Sequence, residues 1–152
     1  MTGPIRLKRD DTLSADALAM IDESEVEQAA IYPPEVRYAF SPEQLLNANV
    51  RFLTAYRGGQ VVGCGGVAPL DGYGELKRVF VTRAARGTGV AGAIMEGLEA
   101  EARALGLPVV RLETGHDSPA AIRLYERRGY RRIAPFGAYA ENGSSVFMEK
   151  QL

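Results

Sequence analysis

The stretch RAARGTGVAGA, residues 83–93, decides how this chain is read. Taken literally it holds G-x-G-x-x-G, with Gly87, Gly89 and Gly92 in the three glycine places. About 20 residues further on, the strand-like run PVVRLE ends at Glu113, an acid where a dinucleotide site wants one. A helix N-terminus leaves four backbone N–H groups without partners and carries partial positive charge, so a glycine loop that opens a helix attracts phosphate. Three features argue against a dinucleotide. The first glycine of a Rossmann turn follows its strand almost at once, whereas Arg83-Ala84-Ala85-Arg86 intervenes here. A doubly wound sheet needs repeated β-α-β units, and this chain offers one, preceded by hairpins. The intervening segment also carries two arginines, which suits a more heavily phosphorylated ligand better than a tight turn. No Lys-Ser or Lys-Thr follows the glycines, so the loop is not a P-loop either.

Upstream of the loop the pattern is that of an antiparallel meander. Residues 50–56, 60–70 and 74–82 read as strands, with Gly58-Gly59 and Asp71-Gly72 as the turns between them. Downstream, Val90, Ile94, Leu98, Ala102 and Leu105 recur at helical spacing until Gly106 and Pro108. Residues 109–114 form a short apolar strand. Strand, helix, strand implies a parallel pair joined by a right-handed crossover. Ser118-Pro119 opens another helix, with Ile122 and Tyr125 on one face and Gly129 closing it. Residues 130–133 and 145–149 give two late strands. Towards the N-terminus, residues 5–8 suit a first strand. Ser14 caps a helix whose imperfect apolar face is Ala17, Leu18, Ile21 and Val26, and Ser41-Pro42 starts a further helix. Tyr32, Glu35 and Tyr38 fall in the irregular stretch between those two helices.

Composition narrows the function classes. One domain over residues 1–152 is expected, since 152 residues suffice for one core. Hydrophobic residues make up 46% and charged residues 24%, and the formal net charge is −1, so no global attraction to nucleic acid or an anionic membrane follows. The single cysteine, Cys64, cannot form an intrachain disulfide, and MTGPIRLKRDD has no apolar core for a signal peptide, so a cytoplasmic location is expected. No apolar run is long enough to span a membrane, and no metal site is expected.

The loop reads better as Arg86-x-x-Gly89-x-Ala91, following the strand Glu75-Leu76-Lys77-Arg78-Val79-Phe80-Val81. A second block follows: Leu112-Glu113-Thr114, then Ala121-Ile122-Arg123-Leu124-Tyr125-Glu126-Arg127-Arg128-Gly129-Tyr130. The first pattern resembles motif A, [QR]-x-x-G-x-[GA], of the GNAT superfamily of acyl-CoA-dependent N-acyltransferases. The second resembles that family's A-I-x-L-Y-E-x-x-G-[FY]. Two blocks in the right order and spacing make a far more specific signal than either alone, and the match runs from about Glu75 to Ile133. The chain departs from the family once, with Ser118 where Asn is frequent. Serine still serves as an N-cap there, while a side-chain contact from Asn to the cofactor is put in question.

The resemblance implies a mixed α/β fold, with a mostly antiparallel sheet splayed at its central parallel pair and flanked by helices. It implies acetyl-CoA as cosubstrate, with the pyrophosphate on backbone N–H groups of Arg86, Gly87, Thr88, Gly89, Val90 and Ala91. The pantetheine arm would lie along the backbone of Val79, Phe80 and Val81, with Ser118 at its edge. The activity implied is acetyl transfer to an amine by direct attack in a ternary complex. The acceptor would be an amine-bearing small molecule, or a protein N-terminus or lysine, with a homodimer as the assembly to consider. A non-catalytic acyl-CoA sensor is the alternative from another class. The chemistry sets its own needs: an amine of pKa about 10.4 must lose a proton at a cost of roughly 4–5 kcal/mol near pH 7, so a base is required. The resemblance makes Glu75 the expected base, since its spacing before Arg86 matches that of the catalytic glutamate in one branch of the family; Glu113 and His116 are the other candidates, and a surface pairing with Lys77 or Arg78 is the plain reading of Glu75. Tyr125 is the expected acid, its plain reading being a core aromatic beside Ile122. A backbone amide near Val79 is the expected oxyanion donor. Cys64 is expected to be a small buried strand residue.

Overall fold

Four strands pair antiparallel in chain order: β1 (Ile5–Arg9), β2 (Arg51–Arg57), β3 (Gln60–Pro69) and β4 (Gly74–Val81). The turn at Gly58-Gly59 has φ of 59° and 79°, both left-handed, as a two-residue hairpin whose twist matches its strands requires. The computed structural model describes residues 3–152. The crossover helix α3 (Val90–Ala104) then delivers β5 (Val109–Gly115) parallel to β4. Helix α4 (Pro119–Arg127) leads to β6 (Arg131–Ile133) and, through residues 134–144, to β7 (Ser145–Gln151). The last strand inserts beside β5, so the sheet order is β1-β2-β3-β4-β5-β7-β6, with β4–β5 the one parallel pair among the described residues.

Each face of the sheet carries its own core. On one, Val90, Ile94, Leu98 and Ala102 of α3 pack with Ile122 and Tyr125 of α4 over Leu76, Val110 and Leu112. Each such buried aliphatic side chain contributes about 1.5–3 kcal/mol by leaving water. On the other face lies α1 (Ala15–Ile31), capped by Ser14, whose side chain accepts from the Ala17 amide, together with α2 (Pro42–Asn47), closed by a Ser41/Gln44 capping box. The buried stripe of α1 is Ala17, Met20, Ile21 and Ser24, at i, i+3, i+4 and i+7. Leu18 and Val26, expected in that stripe, are exposed instead, because 3.6-residue periodicity turns both away once Ala17 and Ile21 face the sheet. Among the described residues no helix is long and apolar enough to cross a membrane.

Two departures from regularity create the site. First, β4 carries a bulge: Gly66 faces Lys77 and Cys64 faces Phe80, so Gly65 alone opposes both Arg78 and Val79. Arg78 has φ 55°, which a non-glycine residue adopts only at a cost. The extra residue breaks the alternation of side chains, so Lys77 and Arg78, adjacent in sequence, both reach the α1 side: Lys77 contacts the Tyr38 carbonyl and Arg78 the Phe40 carbonyl. Second, β4 and β5 pair only at Gly74↔Val110 and Glu75↔Arg111. Beyond Glu75 the two strands part, and among the described residues β4 has no strand partner on that side.

Candidate active site

The glycine loop sits where the parting strands end. After β4, Arg83–Ala85 makes one 3₁₀ turn, and Gly87 (φ 74°) and Gly89 (φ 93°) then turn the chain into α3. Gly89 is the N-cap of that helix and offers no side chain to it. Among the described residues nothing accepts from the backbone amides of Gly87 to Gly92, and nothing lies within 4 Å of where a Cβ on Gly87 would stand. These open donors at a helix start fit a pyrophosphate. Gly92, the third glycine of the literal dinucleotide pattern, is not there for close packing, since a Cβ on it would meet only the Arg128 guanidinium at 3.9 Å.

The loop is held by groups that periodicity does not reveal. Arg57, buried at the end of β2, donates to the Thr88 hydroxyl at 2.7 Å and to the Thr88 carbonyl at 3.0 Å, while that hydroxyl donates to the Ala85 carbonyl. Arg86 donates to the Val81 carbonyl at 3.0 Å and to both oxygens of Glu27 at 2.7 Å, with its guanidinium 5.6 Å from the Phe80 ring centre. The Arg86 side chain therefore ties the loop to β4 and α1.

Where the strands part, a cavity of about 120 Å³ opens on the α1 side, lined among others by Glu75, Lys77, Arg78, Val79, Glu113 and Tyr125. Glu75 is buried and already engaged: the Lys77 ammonium is 2.8 Å away, and the Tyr139 hydroxyl donates to the same carboxylate oxygen. The plain reading of Glu75 as a partner of Lys77 thus holds for the pairing but not for its exposure. Lys77 also donates to the Tyr139 hydroxyl at 2.8 Å and lies 4.2 Å from the Phe40 ring centre. Glu113, across the gap on β5, accepts one hydrogen bond among the described residues, from the Ser145 hydroxyl at 2.6 Å. Burial pushes the Glu113 carboxyl above its ordinary value; Ser145 and Lys77 oppose this and the nearby Glu75 charge adds to it. Asn142 holds Ser145 from behind: its side-chain carbonyl accepts from the Ser144 and Ser145 amides and its amide group donates to the Ser145 and Tyr38 hydroxyls.

Tyr125 sits on α4 with its ring against Tyr130, centroids 5.9 Å apart. Among the described residues its hydroxyl has no hydrogen-bond partner, and it lines the cavity. Burial, helped by the Glu113 charge, pushes its phenol up to about 12. Ser118 begins α4 but does not cap it with its side chain. Its hydroxyl instead pairs at 2.8 Å with the hydroxyl of Tyr32, the residue that ends α1, which corrects the expected capping role: Ser118 holds the N-cap position but its side chain is engaged elsewhere. Tyr32 lies so close over β5 that a Cβ on Gly115 would fall 1.8 Å from its hydroxyl oxygen.

The structure thus brings Glu75, Glu113 and Tyr125 to one cavity, with Tyr32 and Tyr38 in its wall. It leaves His116 outside, in an exposed pair with Asp117 at 3.3 Å, and Glu35 outside as well. Cys64 is fully buried, donates to the Arg78 carbonyl at 3.2 Å, and has its thiol pushed up to about 12 by burial. Tyr139, Asn142, Arg37, Glu25 and Arg57 are site or support residues that the sequence did not single out. Only Tyr139 and Asn142 carry a signal in retrospect, as an aromatic and a turn residue in the long link before β7.

Comparison with known proteins agrees with this geometry. The profile of the Acetyltransferase (GNAT) family matches residues 17–130. An IAA acetyltransferase of Azospirillum brasilense is 38% identical over 151 residues, 97% of this chain and 98% of that protein. An uncharacterized N-acetyltransferase of Bacillus subtilis, YsnE, is 30% identical over 97% of this chain and all of that protein, 100%. Among solved structures, a Klebsiella pneumoniae protein provisionally described as an acyl-CoA N-acyltransferase superposes with a TM-score of 0.82 at 31% identity, covering 97% of each chain. The PaiA N-acetyltransferase of Thermoplasma acidophilum, solved with coenzyme A, shares the fold with a TM-score of 0.74 at 19% identity, covering 99% of this chain and 100% of that one. A splayed parallel pair, a glycine loop with open amides and a family profile over most of the chain lead to one assignment: the chain belongs to the GNAT family and is an acetyl-CoA-dependent N-acetyltransferase.

Proposed function

We propose that the protein acetylates the amine of a small molecule by direct attack within a ternary complex, with Glu113 as base and Tyr125 as the donor to the leaving sulfur. Acetyl-CoA supplies the acyl thioester. Gly87, Thr88, Gly89, Val90 and Ala91 would hold its pyrophosphate by their amides, and the unpaired edge of β4 at Val79, Phe80 and Val81 would hold its pantetheine arm. Arg86 and Ser118 act at one remove, Arg86 by fixing the loop and Ser118 through Tyr32. A backbone amide at the β4 bulge would donate to the acetyl oxygen as negative charge develops there.

The observation that carries the assignment of the base is the contrast between the two carboxylates. Glu75 is neutralised by Lys77 and bonded by Tyr139, so its charge is spent on holding the bulged strand. Glu113 has one hydrogen bond and a carboxyl raised by burial, which brings it closer to the working pH of a general base. Tyr125 has the complementary property: a phenol at about 12 stays protonated throughout the neutral range and so keeps its O–H to donate. Glu75, the base expected from spacing, becomes in this reading the residue that positions Lys77 and Tyr139. The test is thiol release from acetyl-CoA over a panel of amines, comparing Glu113→Gln with Glu75→Gln. The proposal expects Glu113→Gln to lower kcat/KM by about 100-fold or more and to abolish its acid limb. Loss of that limb in Glu75→Gln with its retention in Glu113→Gln would reverse the assignment.

A further inference from the structure

The wall of the cavity formed by α1 and the bulge carries two guanidinium groups that are only partly paired. Arg78 donates through Nε to the Phe40 carbonyl at 2.9 Å and through Nη2 to Oε2 of Glu25 at 3.0 Å. Arg37 donates through Nη1 to Oε1 of Glu25 at 2.6 Å. One carboxylate therefore bridges two arginines, leaving a surplus of one positive charge. Among the described residues nothing accepts from Arg78 Nη1 or Arg37 Nε, both of them buried. The Arg78 side chain is only 5% exposed. Both arginines line the cavity, and a buried guanidinium donor left unpaired is costly until an acceptor reaches it. Arg78 and Glu25 also border a second hollow between α1 and α2, but Arg37 lines the first cavity alone.

The other wall has the opposite sign. Glu75 and Glu113 face one ammonium, Lys77, which leaves a surplus of one negative charge. Arg37, Arg78, Glu75, Lys77 and Glu113 all line the same cavity of about 120 Å³, so a molecule that meets both signs of charge there must carry its own opposite charges close together.

We infer that the acceptor is an α-amino carboxylate, its amine at Glu113 and its carboxylate on Arg78 Nη1 and Arg37 Nε. This rests on the reading of Glu113 as base and names the substrate class of the same site. The carboxylate satisfies both orphan donors and matches the single surplus positive charge, and the ammonium matches the negative end before it loses its proton. The same pairing disfavours simple alkylamines, which would leave the arginines unpaired, and cationic polyamines, which would set a second positive charge beside them.

The experiment measures thiol release from acetyl-CoA with the standard α-amino acids, each beside its carboxamide, and with alkylamines and aminoalkyl phosphates. At least one α-amino acid should be turned over, with its carboxamide lower in kcat/KM by roughly 30-fold, mostly through KM. Arg37→Gln should narrow the acid-to-amide ratio to below about fivefold, a change that general loosening of the fold would not produce. Arg78→Lys provides the second variant, retaining the charge while losing Nη1, and should narrow the same ratio. Turnover of carboxamides, alkylamines or aminoalkyl phosphates at or above the level of the acids would overturn carboxylate recognition while leaving acetyl transfer intact. Binding of acetyl-CoA with no thiol release on any amine would overturn the transfer reading, and the carboxylate inference with it.

Discussion

Replacing Tyr125 with Phe separates the catalytic role of the hydroxyl from the structural role of the ring. With the phenol at about 12 and a leaving thiol near the ordinary 8.5, full proton transfer to the thiolate is uphill by about 5 kcal/mol at 1.36 kcal/mol per unit. Tyr125 therefore acts by a hydrogen bond to the developing thiolate rather than by handing over its proton during the step. A hydrogen bond to a charged acceptor contributes about 1.5–3 kcal/mol, so Tyr125→Phe should lower kcat roughly 10- to 150-fold. Folding should hardly change, because the hydroxyl has no partner among the described residues and the ring contacts with Tyr130 persist in Phe. The assay is steady-state thiol release beside a thermal melt and acetyl-CoA titration of both proteins. A kcat within twofold of the parent, with melting and binding unchanged, would refute the reasoning and leave Tyr125 as the core aromatic that periodicity suggests.

Other consequences are testable in the same preparations. Glu113 has a raised carboxyl, so its native form binds protons more readily than the unfolded chain above the ordinary value near 4.5. Stability should then fall as pH rises through the raised value, and kcat/KM should rise across the same window. Glu113→Gln should lose that pH slope and melt higher at neutral pH, even as activity falls; a lower melting temperature would contradict the burial argument. Arg57→Met should weaken acetyl-CoA binding by about tenfold in calorimetry, by releasing Thr88 and the glycine loop, and equal affinity would show that the loop needs no brace. Gly89→Ala, at φ 93°, should cost about 1–2 kcal/mol in denaturant unfolding, and a neutral result would mean that the left-handed turn is dispensable. Gly115→Ala should displace Tyr32, read as a change in acceptor KM larger than that in acetyl-CoA KM.

What the sequence made legible follows from local physics. The turns at Gly58-Gly59 and Asp71-Gly72, the Ser14 and Ser41 caps, and the 3.6-residue stripe of α3 are each specified within a few residues, and each appears where expected. The parallel pair followed from one strand–helix–strand unit, and motif spacing brought Glu75, Glu113 and Tyr125 into view. The bulge at Arg78 was not legible, since Lys77-Arg78-Val79-Phe80 can alternate normally and only the register against β3 forces two residues opposite Gly65. The pairing of Glu75 with Lys77, two residues on, was legible as a local one, whereas the bond from Tyr139 comes from 64 positions away, brought in by the link before β7, which docks on β5. For the same reason the Ser118 hydroxyl could be read as a cap, because its partner Tyr32 lies 86 residues upstream. Leu18 and Val26 look apolar enough to be core, but the orientation of α1 is set by Ala17 and Ile21 against the sheet, which hydrophobicity alone does not rank.

The measurement that tests the central claim most directly is the pH dependence of kcat/KM for thiol release by the parent protein, Glu113→Gln and Glu75→Gln, on the best amine found. The account predicts an acid limb in the parent above the ordinary carboxyl range, absent from Glu113→Gln and kept in Glu75→Gln at reduced rate. An unchanged limb and near-parental rate in Glu113→Gln would contradict it and remove Glu113 from the chemistry.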